Sequence, residues 1–446
     1  MPSLSKKQIG LGACVAFAVG AMVGAGVFVL SGVAVQDAGP SALISFLLAG
    51  AAVLCSAFSF MVIASLAQAG ELGYAPIGRV LGHRFWGFLT SWAFYLSAII
   101  CTAFVLNAFG QYMHDFFIGA IPTLGWAVIA TLALTFLNLG NTSGVGRIEG
   151  LLVGIKMSIL VLLVFYGVMQ LTPDAFAPFA PHGTSGMLTT TGLLFIAYLG
   201  FSVVTNIAGD VRDARKTVPR AILLSIVTVI LLYVGVVLAL LAYPLPHYDE
   251  ASVGDIAVHL MGPIGGVLVP LAALVSTLSA ANSNILGSSE IMVRLAARKD
   301  VPTFVGRLHN GHPYVSVFFS AALCLALLAT RQTDTVIALA NVSAIGAIAL
   351  INIATIRLML QKNGAHMRLI GGPLLPFIGL LSCIGELFLL GIGPVLIGFA
   401  MIAFGGIVYL TRKALHDPDE HRKLTTELER YGGPLVRLLQ KFEERA

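Results

Sequence analysis

Three stretches of the sequence hold residues whose type and spacing could do chemistry inside a membrane. The first is Gly20-Ala-Met-Val-Gly-Ala-Gly-Val-Phe28, which puts Gly20, Gly24 and Gly26 in the middle of an apolar run. Glycine at that density weakens a helix, and unpaired backbone groups in hydrocarbon cost several kcal/mol each unless a cavity, substrate or ion satisfies them. The same residues also permit close helix packing of the small-xxx-small kind through Gly20 and Gly24. The second stretch, Phe195-Ile-Ala-Tyr-Leu-Gly-Phe-Ser-Val-Val-Thr-Asn206, is again interrupted by a glycine and followed by hydrogen-bonding side chains. The third carries Lys156 within Gly150-Leu-Leu-Val-Gly-Ile-Lys-Met-Ser-Ile-Leu160, a cation flanked by apolar residues on both sides.

At a break in a helix, freed N–H groups suit a carboxylate and freed carbonyls suit an ammonium or another cation. An amino acid carries both groups. The expected pocket is therefore backbone from Val23, Gly24, Ala25 and Gly26 facing backbone from Phe195, Ile196, Ala197 and Tyr198, with Phe195, Tyr198, Phe201 and Phe94 or Tyr95 available to close over the substrate. Lys156 in mid-bilayer is costly and marks a functional site. Buried beside carbonyls of the broken first span, it would stand where a cation would otherwise bind, and desolvation against carbonyl partners suits it to gain and lose a proton. The competing reading is snorkelling to the inner surface, because Arg147 is nine residues away, about 14 Å at helical rise.

The elements that must position these residues are membrane helices. The chain of 446 residues is 57% hydrophobic and only 11% charged, with a mean hydropathy of +0.92, whereas soluble domains are about 25% charged. A span needs about 20 apolar residues. Apolar runs fall at 9–34, 41–67, 86–113, 122–141, 149–171, 188–208, 220–243, 263–288, 313–330, 334–357, 369–390 and 393–411. This is an all-α membrane protein of about twelve transmembrane helices, which excludes a soluble enzyme, a disordered scaffold and a nucleic-acid binder. The first run follows Lys6 and Lys7 but continues to about Val35 without a persuasive cleavage site, so it is read as a span and not a signal peptide.

The net charge of +5 sets orientation. With both termini cytoplasmic, only Arg331 falls in an outer loop and only Lys156 lies well inside a span; Arg79, Arg84, Arg147, Arg212, Arg215, Lys216, Arg220, Arg294, Arg298, Lys299, Arg307, Arg357, Lys362, Arg368 and the tail are internal. The outer loops carry Asp37, Asp115, Asp174, Asp249, Glu250, Asp255 and Asp334. Residues 1–411 form the transporter domain. Its two halves, about 9–171 and 188–357, each open on a glycine-interrupted span, the mark of a five-plus-five inverted repeat with broken helices 1 and 6; helices 11 and 12 occupy 369–411. Residues 412–446 form an amphipathic tail suited to the inner membrane surface, with a solvated tail as the alternative.

Ser276, Ser279 and Ser283 share one face of the eighth span and can serve substrate, Lys156 or interhelical hydrogen bonding. Glu386, the only acid well inside a span, is expected to snorkel outward. No Asp or Glu lies mid-span in helices one, three, six, eight or ten, so a cationic side chain would lack a counter-ion and neutral amino acids are favoured. Cys14, Cys55, Cys101, Cys324 and Cys383 form no CxxC pair, and His83, His114, His182, His247, His259, His309, His312 and His366 lie in or near loops. With no HExxH, Ser/His/Asp or GxxxxGK pattern, neither a metal, a cofactor, an enzyme nor an ATP-driven pump is indicated.

From Gly24-Ala-Gly-Val-Phe28, the element through Gly200, Asp210-Val-Arg-Asp-Ala-Arg-Lys-Thr-Val-Pro-Arg-Ala-Ile222, and Gly146-Arg-Ile-Glu-Gly150 leading to Lys156, the membrane region resembles the amino acid-polyamine-organocation superfamily. Within it the chain is most similar to proton-coupled, broad-specificity prokaryotic amino acid permeases, which carry a lysine at the position of Lys156. The resemblance implies the leucine-transporter fold, proton coupling without sodium, and Lys156 near Gly20 and Ser279. Ala25 replaces the usual serine, Glu71-Leu-Gly73 a glycine pair, and Asp213-Ala214 an Asn-Pro. Ser202 stands where arginine-agmatine exchangers carry a glutamate. The expected function is secondary active import of neutral amino acids with protons across the inner membrane, by alternating access. An amino acid exchanger is the alternative, and a channel or sensor on the same fold is the reading from a different class; oligomerisation is left open.

Overall fold

The computed structural model describes residues 9–66, 75–117, 119, 121–139, 145–206, 211–248, 252–308, 313–361 and 372–416, with side chains except at Ala25, 145–152, Asn206, Ala214, Arg215, Leu415 and His416. Helices account for nearly all of it. Eight stretches are long and apolar enough to cross a bilayer by themselves, and shorter apolar helices supply the remaining spans. The first span is α1 (Leu11–Met22), α2 (Ala25–Phe28) and α3 (Leu30–Ala38); Gly39, at φ +60°, ends it, and Pro40 starts the turn into α4 (Ala42–Ser65). Short α5 (Pro76–Leu81) precedes α6 (Arg84–Phe116), α7 (Thr123–Leu139) and α8 (Val145–Gln170), which complete the first five spans.

The sixth span is α9 (Gly183–Leu194), a 3-10 segment Phe195–Phe201, and α10 (Ser202–Asn206). Then come α11 (Ala214–Ala242), the connecting α12 (Ser252–Met261), α13 (Pro263–Ala297), α14 (Tyr314–Ala329), α15 (Thr333–Leu360), α16 (Leu374–Leu389) and α17 (Ile392–His416). All twelve expected runs are occupied by helix. The apolar pattern does not reveal α5 and α12, because neither crosses the bilayer. The tail beyond His416 and the Glu71-Leu-Gly73 element lie outside the described residues.

Packing follows one scheme in both halves. The third span (α6) lies against the tenth (α15), and the eighth (α13) against the fifth (α8); the fourth and ninth (α7, α14) pack on each other, and each also packs on the span before it. The first span packs on the seventh (α11), and the sixth on the second (α4). When every span is exchanged with the one five places away, the fourth–ninth pairing maps onto itself and each of the other pairings onto another. Residue Ile9 bridges Val211 in parallel, and the Arg212 N–H donates to the Ile9 carbonyl at 3.0 Å, which ties together the chain at the α1 and α10 ends of the two broken spans.

The interior is built by small residues that let backbones approach. A Cβ on Gly200 would lie 2.4 Å from the Met22 nitrogen and 2.6 Å from the Ala21 carbonyl carbon, so the sixth span can cross the first at that point only as glycine. The five cysteines are unpaired and buried or half-buried.

Candidate functional site

The first helix stops at Val23, whose ψ of 65° leaves the helical region. A helix end frees its last carbonyls, and inside a membrane each needs a partner. Three side chains from three other spans supply them. Lys156 Nζ donates to the Gly20 carbonyl at 2.9 Å, the Val23 carbonyl at 2.7 Å and Ser276 Oγ at 3.1 Å. Ser276 Oγ itself donates to the Val23 carbonyl. Tyr233 Oη, on α11, stands within hydrogen-bond reach of the Met22 carbonyl at 2.8 Å and the Ala197 carbonyl at 3.0 Å. One phenol therefore spans the broken segments of the first and sixth spans.

Lys156 is 1% exposed. It does not reach the surface, which removes the snorkelling alternative. An ammonium has three protons to donate, and Gly20, Val23 and Ser276 offer three acceptors. Ser279, half-way between Ser276 and the cavity-lining Ser283 on the same helix face, is also buried. The residues alone grouped these serines on one face and left the lysine's partner open, while the resemblance implied Ser279; the hydroxyl that Lys156 Nζ reaches at 3.1 Å is that of Ser276, one turn earlier.

Beside this cluster is a cavity of about 120 Å³. Gly24 and Gly26 form its wall from the first span; Ile196, Ala197, Gly200 and Ser202 form it from the sixth. Phe94, Ser97 and Cys101 of α6 and Ala280, Ser283, Asn284 and Ser288 of α13 close the other sides. On α13 the lining runs from Ala280, near the middle of the helix, to Ile291, toward its Arg294 end. No acidic side chain lines the cavity among the described residues. Its polar groups are hydroxyls, an amide, a thiol and backbone.

Of the expected pocket residues, Gly24, Gly26, Ile196, Ala197 and Ser202 line the cavity. Val23, Phe195 and Tyr198 stand behind it. Val23 presents its carbonyl to Lys156 and Ser276. Phe195 is fully buried, and Tyr198 turns away to donate its hydroxyl to the Phe46 carbonyl at 3.0 Å, with its ring 5.2 Å from that of Tyr233. The Ala25 side chain lies outside the described residues. Of the aromatic rings considered as covers, Phe94 lines the cavity; Phe201 packs on Phe60 at 4.9 Å, and Tyr95 faces Ser320 at 3.4 Å. The reason is the 3-10 geometry of Phe195–Phe201. With three residues per turn, Phe195, Tyr198 and Phe201 align on one face, away from Ile196, Ala197 and Gly200.

Sequence reasoning missed Tyr233. Its signal was available: a lone hydroxyl in Ile230-Leu-Leu-Tyr-Val-Gly235, an otherwise apolar stretch in mid-span. It also misplaced Glu386. The carboxyl does not snorkel outward. It is 4% exposed and packed under α9, where a Cβ on Gly192 would lie 3.2 Å from Oε2, because α16 turns this face toward α9 and α15 and not toward lipid.

A multi-span helical protein with two spans broken side by side at a small cavity, lined by apolar side chains with a few hydroxyls and an amide among them, is built as a membrane transport protein. The chain belongs to the amino acid permease family, whose profile matches residues 14–409. Relatives matching most of the chain include a branched-chain amino acid permease of Bacillus subtilis, 24% identical over 92% of this chain and 94% of the relative. A methylthioribose transporter of the same organism is 26% identical over 89% of this chain and 91% of its own length. A serine/threonine exchanger, also from Bacillus subtilis, is 25% identical over 86% and 91%.

Proposed function

We propose that this permease imports neutral amino acids together with protons, by alternating access about the two broken spans, and that Lys156 is the proton site. The observation that carries the reading is the placement of the lysine Nζ against the Gly20 and Val23 carbonyls and Ser276 Oγ. This cluster can satisfy either protonation state. The ammonium donates three bonds. The neutral amine keeps two protons for the carbonyls, and Ser276, now directed to Val23, can turn its hydroxyl to the amine lone pair. Loss of the proton thus rearranges bonds at the point where the first helix breaks, which links protonation to the freedom of α1 to move.

The substrate α-carboxylate is assigned to the N–H groups at Ala25 and Gly26, since that of Gly24 already donates to the Met22 carbonyl at 2.8 Å, and its ammonium to carbonyls of the 3-10 segment. Ser202, Ser283 and Asn284 then face the side chain. With no acid in the wall, a cationic side chain would be buried unpaired, which disfavours it. The protein is read as two five-span halves, about 9–171 and 188–357, followed by two further spans to residue 411. Both termini are cytoplasmic on the positive-inside rule, and residues 412–446 form a tail on the inner surface of the membrane.

Exchange of neutral amino acids is the second reading, favoured by the likeness to a serine/threonine exchanger. Both are tested in sodium-free proteoliposomes with an imposed inward proton gradient, comparing wild type with Lys156→Ala. Gradient-driven uptake of labelled amino acids that disappears in the variant supports symport through Lys156. Uptake only into vesicles preloaded with amino acid, indifferent to the gradient, replaces it with exchange.

A further inference from the structure

The sixth span ends its outer helix much as the first ends α1. The last turn of α9 leaves carbonyls at Gly192 and Leu193, and Asn341 Nδ2 of α15 reaches both, at 3.5 and 3.3 Å. Asn341 belongs to the tenth span, the counterpart of the fifth span that carries Lys156. Here, however, the partner is a neutral amide, and the titratable group beside it comes from α16. Glu386 is 4% exposed, its Oε2 has no hydrogen-bond partner, and it lies against Gly192. Asn341 Oδ1 is likewise unpartnered.

Among the described residues, no charge compensates this carboxyl. The helices packed on α16 are α15, α4 and α9. Of their residues, α9 contributes no titratable side chain, α4 only Cys55, and α15 only Asp334 and Arg357 at its two ends. On α16 itself the titratable neighbour is Cys383, one turn away. A carboxylate sealed in such surroundings is strongly disfavoured, whereas a carboxylic acid can be accommodated. Yet Glu386 is only one turn from the Leu390–Gly391 bend that ends α16, at the end of the helix remote from the basic loops. Of the helices packed on α16, α9 is the one that meets the carboxyl itself, at Gly192.

We propose that Glu386 is a protonation switch on the outer gate: α9 seats over the carboxyl when it carries a proton, and deprotonation holds α9 away. The inference rests on the transport reading. In the arrangement seen here one proton from the external side is bound at Glu386; when α9 lifts, the carboxyl meets water and can release that proton to the side it came from. The switch therefore sets the external pH at which the gate closes and adds nothing to the transported stoichiometry, which distinguishes it from Lys156.

The test is amino acid counterflow in proteoliposomes at equal pH on both faces, so that no gradient drives flux, across a series of pH values. Wild type should fall by about tenfold per pH unit above the ionisation of the gate carboxyl. Glu386→Gln, near-isosteric and permanently neutral, should keep the acid-side rate throughout that range. A variant profile that tracks wild type overturns the proposal. Infrared spectroscopy of purified protein gives a second reading that needs no transport: a carboxylic acid C=O band present in wild type and lost in Glu386→Gln supports the switch. Absence of that band in wild type refutes it, even if counterflow itself is never observed.

Discussion

Removing the hydroxyl that spans the two breaks, Tyr233→Phe, isolates what one bond does to the conformational equilibrium. The ring should stay in place, because it packs edge-on against Phe46 at 5.3 Å and beside Tyr198 at 5.2 Å. What is lost is a donor shared by the Met22 and Ala197 carbonyls. The Met22 carbonyl keeps another partner, the Gly24 N–H at 2.8 Å, so the loss is one hydrogen bond and not two orphaned carbonyls. Interhelical hydrogen bonds inside membrane proteins average about 0.6 kcal/mol and reach about 1.7. A value near 1 kcal/mol is a factor of about five in an equilibrium.

If the two broken segments move apart during transport, that factor appears as a shift between conformations, read as a change of about fivefold in substrate Kd by titration of purified protein. Tyr198→Phe is the control, since it deletes a comparable bond to the Phe46 carbonyl that does not join the two breaks. It should lower thermal stability by a similar amount and leave Kd unchanged. Equal effects of the two variants on Kd would refute the bridging argument, as would no effect of Tyr233→Phe on either quantity.

Two further outcomes test the cavity wall. A Cβ on Gly24 would already lie 2.8 Å from that of Ala280, so Gly24→Val should fill the cavity and lower amino acid affinity by at least tenfold, with the folded protein retained by size-exclusion chromatography; unchanged affinity would reduce Gly24 to a packing residue. Ser202→Glu places a carboxylate in a wall that has no acid, and competition assays should then show lysine or arginine displacing a neutral substrate. An unaltered profile would place Ser202 away from the substrate side chain.

The sequence by itself determined the twelve spans, the interruption of the first and sixth, and the presence of a lysine well inside a span. These are consequences of local composition: hydrocarbon demands long apolar runs, glycine weakens a helix wherever it clusters, and a lysine in such a run is conspicuous. Tertiary structure decided which groups meet. Whether Lys156 snorkels or turns inward depends on the first span presenting carbonyls to it, 133 residues away in the case of Val23. That Tyr198 and Phe195 stand behind the cavity follows from three-residue turns in Phe195–Phe201, a choice made by packing against α4 and α11. Tyr233 joins two segments distant in the chain, and Glu386 is sealed because α9 covers it. Periodicity reports which face of a helix is apolar, but a membrane helix surrounded by others has no single face for the sequence to disclose; its partners are fixed only when the chain is packed.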